Sequence, residues 1–511
     1  NEGVLVLGNL DIYLNVFNNT GTVNTTSATD NFTVNAASIN LAAGTVRAVQ
    51  NIALTARDGG DIVSGAVVTS SQGIALTGEN INVTGVMASG VDYNTNAINQ
   101  AGNLSLTAQN TLNVQAHLYA GASMSLAGVL PTVGAASTSN FNNLWANTGI
   151  SLNLTGNYTY GSAQSWQTNN DINLNVSGNY TSAHDLTAPG GLKITANNIT
   201  NESGIRLAAN DALTLTAANS LTNYGTIEAN TLNLNATNVS NNASIIGDNI
   251  TLNLSGNYTQ DGKDKILAAS ENVTINLDGI LTNAHGAVIY SGKNMAIQGY
   301  NNTRAQLILN DSASIEANGA MTLAANTITN RRDKPTTIAT EIEIETPVTQ
   351  SVTPPTGYIS ASETYRMIEN GYAITSQESQ AEILAGTGMT LAANNLNNEY
   401  SLVSTQGALK IGSQTTNSAS SGNVGGVQVV NTFETLNTVQ VKTGTLTETA
   451  REFWYCNISG IFGCIDNRYH NVAYKSTIYE VVGQGSHTIP SVISTGSVEI
   501  DARSVNNTNV A

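Results

Sequence analysis

The groups able to do chemistry in this chain are few, and they do not cluster. Acid–base work on a glycosidic or ester bond needs paired carboxylates, or a carboxylate beside a basic group, on one face. Asp58, Asp61, Asp171, Asp211, Asp248 and Asp311 are scattered and share no common position in the repeat set out below. The five histidines, His117, His184, His285, His470 and His487, have no sequence partner that would make a nucleophile pair or a metal set. Gly59-Gly60-Asp61 resembles half of a calcium-binding nonapeptide but occurs once. No phosphate loop, Gly-x-Ser-x-Gly or His-Glu-x-x-His is present. The expectation is a non-enzyme with no catalytic residue, no metal ligand and no cofactor.

Two other groups point to binding. Cys456 and Cys464 stand close together in a chain poor in charge. That usage suggests an extracellular protein with one local disulfide, the alternative being two reduced thiols. Around them, residues 453–479 hold Phe453, Trp454, Tyr455, Phe462, Tyr469, Tyr474 and Tyr479. Interfaces draw their energy from a few aromatic or Arg anchors. Trp454, Tyr455 and Phe462 are therefore receptor-contact candidates, as are Trp145 and Phe141 in an irregular stretch further upstream. The bland alternative is that the rings form a small core of their own.

What must position these residues is a repeat of about 20 residues. Leu192-Lys193-Ile194, Leu213-Thr214-Leu215, Leu232-Asn233-Leu234, Leu252-Asn253-Leu254 and Val273-Thr274-Ile275 follow one another at offsets of 21, 19, 20 and 21. A half-repeat follows most of them: Ile199-Thr200-Asn201, Leu221-Thr222-Asn223, Val239-Ser240-Asn241 and Leu281-Thr282-Asn283. Alternation puts the aliphatics on one side of a strand, and only stacked neighbours can bury them. The implied fold is all-β, a right-handed parallel β-helix of 14–16 coils over 32–330. Asn and Gly are expected at the corners, where left-handed backbone is tolerated. Gly-Asn-Tyr-Thr at 156–159, 178–181 and 256–259 reads as a corner with an aromatic cap, or as a sugar-binding row.

The repeat divides the chain. Residues 1–330 form the β-helix, with loops near 86–148. A Pro- and Tyr-containing insertion spans 331–380, coils return over 381–412, a disulfide-containing β insertion spans 413–490, and a last coil fills 491–511. The formal net charge of −17 disfavours a nucleic-acid partner. No apolar run of 18 residues suggests a membrane helix. The start at Asn1-Glu2-Gly3, in mid-pattern and without a signal peptide, and the uncapped ends suggest a piece of something longer.

The unit L-x-L-x-A-x-x-L-T-N-x-G-x-I-x-A resembles the filamentous haemagglutinin repeat. Leu213–Ala229 and Leu232–Ile246 carry the match, and Ile328-Thr329-Asn330-Arg331-Arg332-Asp333 is similar to a variant in that family. The resemblance implies a large exoprotein of a Gram-negative bacterium, exported through an outer-membrane two-partner secretion transporter and retained at the outer surface. Such proteins serve as adhesins, haemolysins or contact-dependent growth inhibition effectors. The sequence lacks the Asn-Pro-Asn-Gly-type export signature and a toxin-like C-terminal domain, so it resembles an internal segment. In the growth-inhibition branch such a region recognises an outer-membrane protein or surface glycan on a target cell. A plain shaft, or an adhesin binding host cells or glycans, is the alternative.

Overall fold

The computed structural model describes the chain except residues 9, 132–140, 301–302, 377, 413–425, 457–458, 461–462, 465–466 and 510–511. Described strands are stacked in parallel into a β-solenoid of about 18 turns. At roughly 4.8 Å per turn the stack runs about 85 Å. Each regular turn carries three short faces. In one turn these are residues 213–217, 221–223 and 226–229, and the next turn lies on them in register.

The solenoid follows from the alternation. Leu213, Leu215 and Leu221 point inward and are fully buried, while Thr214 and Thr222 point out. The stack Phe32, Ile52, Ile74, Leu104, Met124, Ile150, Ile172, Leu192, Leu213 continues to Met321 in direct register. Fourteen turns fall between Phe32 and Met321, within the expected range. One register differs from the sequence reading. Ile250, not Leu252, lies over Leu232, and Leu252 lies over Leu234. A slip of two residues keeps the same side chains inward, so the aliphatic pattern alone does not detect it.

The Asn of the Leu-Thr-Asn half-repeat is not a corner residue. Asn201, Asn223, Asn241, Gln260, Asn283, Asn310, Asn330 and Asn398 are all fully buried. Each side-chain amide donates to the amide oxygen of the next, at 2.8–3.2 Å, from Asn201 to Asn431 and on to Asn507. The same N–H₂ groups close the corner onto the third face, as Asn223 does to the Ser244 carbonyl and Asn283 to that of Ser314. A buried amide needs such partners, and a ladder supplies them without water. The left-handed residues at this corner are instead His285, Ser312 and Tyr400, with glycines beside some of them.

The solenoid runs through both insertions. Met321 pairs with Met389 although 68 positions separate them, Met389 with Leu409, and Leu409 with Val498. The excursions leave from the same corner, two turns apart. The first is a hairpin of Thr336–Val352 and Ser360–Ser376. The second begins later than the sequence suggests. Val427 and Val429 are buried in the stack, and Val429 lies over Leu396, so 427–432 is still solenoid. The strand Val427–Cys456 then runs outward and returns as Asn467–Ile489. The two hairpins join edge to edge, since 360–370 pairs antiparallel with 439–449. They form one four-stranded arm rather than two separate insertions. At about 3.4 Å per residue the longer hairpin extends roughly 75 Å.

Candidate functional site

Most of the solenoid surface is Thr, Asn and Ser on flat strands. An exception lies on the third face near the first irregular region. Three strands stack there: His117–Ala120, Asn143–Ala146 and Ser165–Thr168. Their inward residues, Leu118, Leu144 and Trp166, are buried. Their outward residues form two rows, His117–Asn143–Ser165 and Tyr119–Trp145–Gln167. In a parallel ladder the backbones of such neighbours sit about 4.8 Å apart, so Tyr119 and Trp145 are next to each other in one outward row held by rigid strands.

An excursion hangs beside these rows. After Met87–Ser89 the chain leaves the turn, pairs Val91 with Ile98 in a small hairpin, and rejoins at Asn103. Its tip is fixed by Asp92, whose carboxylate accepts from the Asn94 backbone N–H at 3.0 Å. That bond holds the Asp92 carboxyl below the usual carboxylate range. Asn96 takes a left-handed conformation at φ 58°. The neck closes on Gly90, where φ is +67° and a Cβ would meet the Gln100 carbonyl at 2.3 Å. Only glycine fits there.

Between the hairpin tip and the strands lies a cleft of about 110 Å³, lined by Asn96, His117, Tyr119, Asn143, Trp145, Ser165 and Gln167. Asn143 Nδ2 donates to His117 Nε2 at 3.1 Å, and the Tyr119 hydroxyl lies 3.4 Å from His117 Nδ1. The His117 and Tyr119 rings stack at 6.4 Å. Trp145 Nε1 and the Gln167 amide make no side-chain hydrogen bond among the described residues. On the other side of the hairpin a second cleft of about 460 Å³ is lined by Arg47, Thr69, Asp92, Tyr93 and Asn99.

Trp145 is thus a half-buried, outward ring in a cleft, as a contact residue requires. Phe141 is not. It is fully buried in the core, 6.1 Å from the Tyr158 ring. Tyr158 in turn stacks on Trp166 at 5.9 Å, and the Trp166 indole N–H donates to the Phe141 carbonyl. Phe141 is anchored by hydrophobic burial and leaves no face for a receptor, which corrects the expectation for that residue. The Gly-Asn-Tyr-Thr tyrosines behave likewise. Tyr158 and Tyr180 stack on each other at 6.5 Å inside the solenoid, Tyr258 lies between Val239 and Leu281, and the three, being buried, form no sugar-binding row. Burial pushes all three phenols up.

Trp454 and Tyr455 lie on the outer end of the arm strand Val427–Cys456, but their side chains, and Phe462 entirely, lie outside the described residues. No disulfide is seen among the described residues, and the expected Cys456–Cys464 pair falls on side chains that lie outside them. The backbone register sets Cys456 opposite Asn467 and Cys464 opposite Ser459.

Further along the third face, the charged groups of a second site are engaged with their neighbours. A groove of about 650 Å³ is floored by Ala209, Ala229, Gly247 and Ala269 and edged by Arg206, Glu228, Asp248 and Tyr290. Arg206 pairs with Glu228, and Ser270 donates to Asp248 at 2.5 Å. Among the described residues no group of three or more His, Cys, Asp or Glu is close enough to hold a metal ion.

Tyr119, His117, Gln167 and Asn96 were not singled out from the sequence. The signal was available: His-Leu-Tyr-Ala, Asn-Leu-Trp-Ala and Ser-Trp-Gln-Thr align as successive third-face strands. The variable repeat spacing caused by the excursions hides that alignment. No protein-family model matches the chain, and comparison with curated proteins and with solved structures gave no match.

Proposed function

We propose that this chain is the stalk and receptor-binding segment of a large secreted surface protein of a Gram-negative bacterium. It recognises an outer-membrane receptor on target bacteria and so enables toxin delivery. One observation carries the reading: the coils continue in register through every excursion, while the excursions stand on the surface. A spacer has no need of a four-stranded arm or of a hairpin over exposed rings. A rigid solenoid sets both at fixed distances along one axis, and pre-organised side chains lose less entropy on binding. Catalysis is not part of the reading, because the carboxylates of the groove along Arg206, Glu228 and Asp248 are paired or hydrogen-bonded.

The test is binding of the purified chain to Gram-negative cells with and without their surface proteins, read by pull-down. Saturable binding lost on stripping the surface supports the proposal. Binding to no cell type favours a plain shaft. An adhesive reading directed at glycans has its own support in the Trp145 cleft.

A further inference from the structure

We infer that the cleft beneath the 91–98 hairpin is a saccharide subsite that takes one neutral pyranose unit of a surface glycan, with Trp145 as its stacking platform. The inference deepens the receptor-binding reading and rests on it for its biological setting, though not for its chemistry. A pyranose has an apolar C–H face and a rim of hydroxyl groups. Recognition calls for one flat apolar surface and several fixed hydrogen-bonding groups around it. The cleft offers both. Trp145 and Tyr119 lie side by side on locked strands. Asn96, His117, Asn143, Ser165 and Gln167 surround them.

The lining also excludes other ligand classes. It contains no Asp, Glu, Lys or Arg. A phosphate or a carboxylate sugar would need a cation there, and a cationic ligand would need a carboxylate. The chain's charge of −17 opposes a nucleic acid. A protein anchor prefers a deep apolar pocket, whereas this cleft is small and mostly polar. The neighbouring cleft on the far side of the hairpin does hold charge, in Arg47 and Asp92, so the two sides of one hairpin differ in what they accept.

The rows give the geometry. Gln167 continues the Tyr119–Trp145 row, and His117–Asn143–Ser165 runs parallel to it, two residues earlier on each strand. A ring laid on Trp145 therefore meets amide and imidazole groups along one edge and Gln167 at one end. Asn96 approaches from the hairpin side. The hydrogen bonds of His117 with Asn143 and Tyr119 fix the imidazole before any ligand arrives.

The experiment is saturation-transfer NMR on the full chain with four soluble probes: the methyl β-glycosides of glucose, galactose, mannose and N-acetylglucosamine. The expected result is transfer to the ring C–H protons of at least one probe, with affinity in the millimolar range usual for one sugar. Trp145→Ala should weaken it about tenfold or more, with the chain still folded and at most a small drop in melting because the ring is outward and only half-buried. Gln167→Ala should weaken it less, and Thr349→Ala on the arm should do nothing. Transfer from none of the four, or transfer equal in Trp145→Ala and the unaltered chain, overturns the subsite. Cell binding separates this from the wider reading. Cell binding without sugar transfer removes the subsite and leaves the receptor role. Sugar transfer without cell binding does the reverse.

Discussion

The solenoid and the arm are both β-structure, yet they solve the problem of unpaired surface in opposite ways. In the solenoid, inward side chains have a neighbour above and below, and even the polar ones are locked into a ladder. In the arm, strands pair only sideways. Ile338 and Ile342 are 56% exposed and Tyr479 is 69% exposed. The arm is tied mainly by polar and ring contacts on its faces: Lys442 reaches along the sheet to Glu363 at 2.7 Å and lies 4.2 Å over the Tyr365 ring, and Arg366 pairs with Glu341 at 2.9 Å. Its root is held by Tyr400, Leu436 and Ile489, and by Lys334 on Glu434 at 2.8 Å. The difference teaches that stability resides in the stack, while the arm depends on it for support and is free to present side chains.

The strongest way to break this comparison is Leu234→Asp. It places an unpaired charge in the stack, at an expected cost of about 4 kcal/mol or more. The solenoid should melt early or open locally. Next comes Asn330→Ala, which strips partners from Asn310 and Asn398 on either side. Leaving buried amide groups unmade should cost roughly 2–4 kcal/mol. An exposed arm residue such as Thr349, changed to Ala, should cost little by the same thermal unfolding measurement. Equal losses at Asn330 and Thr349 would erase the distinction.

Replacing 336–376 and 434–489 by short Gly/Ser bridges should shift the solenoid's melting only slightly. Collapse of the whole chain would show that the arm is part of the core.

Acid and base should separate the regions more gently. The buried phenols of Tyr158, Tyr180 and Tyr258 have raised folded values. Their contribution is intact below the unfolded value near pH ~10 and is lost as pH rises beyond it. The Tyr158 hydroxyl has no hydrogen-bond partner among the described residues, so Tyr158→Phe should hold or raise stability at neutral pH and make the alkaline loss shallower. In the arm the shift runs the other way. The Lys442 ammonium, with help from Gln350, holds the Glu363 carboxyl down. Its contribution is present above the usual carboxylate range and fades as pH falls through the lowered value. Hydrogen exchange corrected for intrinsic rates should show the arm loosening in acid before the solenoid does.

The smallest effect belongs to Asn233→Asp on the outer face, expected within about 0.5 kcal/mol.

Much of the solenoid was legible because alternation and period encode it directly. Leu213 and Leu215 must face inward together, and the turn count follows. The amide ladder was half legible: Leu221 and Asn223 are two apart, so if one points in, so does the other. The preference of Asn for corners obscured that consequence. The register slip at Ile250 was hidden because a shift of two residues leaves every side chain on its face. The union of the two insertions was not legible. Strands 360–370 and 439–449 meet only because the solenoid sets their exits two turns apart, and that is a property of three-dimensional stacking. Trp145 was singled out by residue type, and only register sets Tyr119 and Gln167 beside it. Phe141 shows the limit of residue type, since four positions decide between core and surface.

The central claim is that one uninterrupted stack runs beneath the arm. Thr322, Thr390 and Lys410 occupy the same outward position in three successive turns. With Cys456 and Cys464 replaced by Ser, a Thr322→Cys/Thr390→Cys pair should sit about 5 Å apart at Cα and oxidise to an intrachain disulfide. A Thr322→Cys/Lys410→Cys pair, about 10 Å apart, should stay reduced. Bridging in the first pair alone, read by mass spectrometry of the unreduced chain, is the result this account predicts. Failure of the first pair, or equal bridging in both, would contradict it.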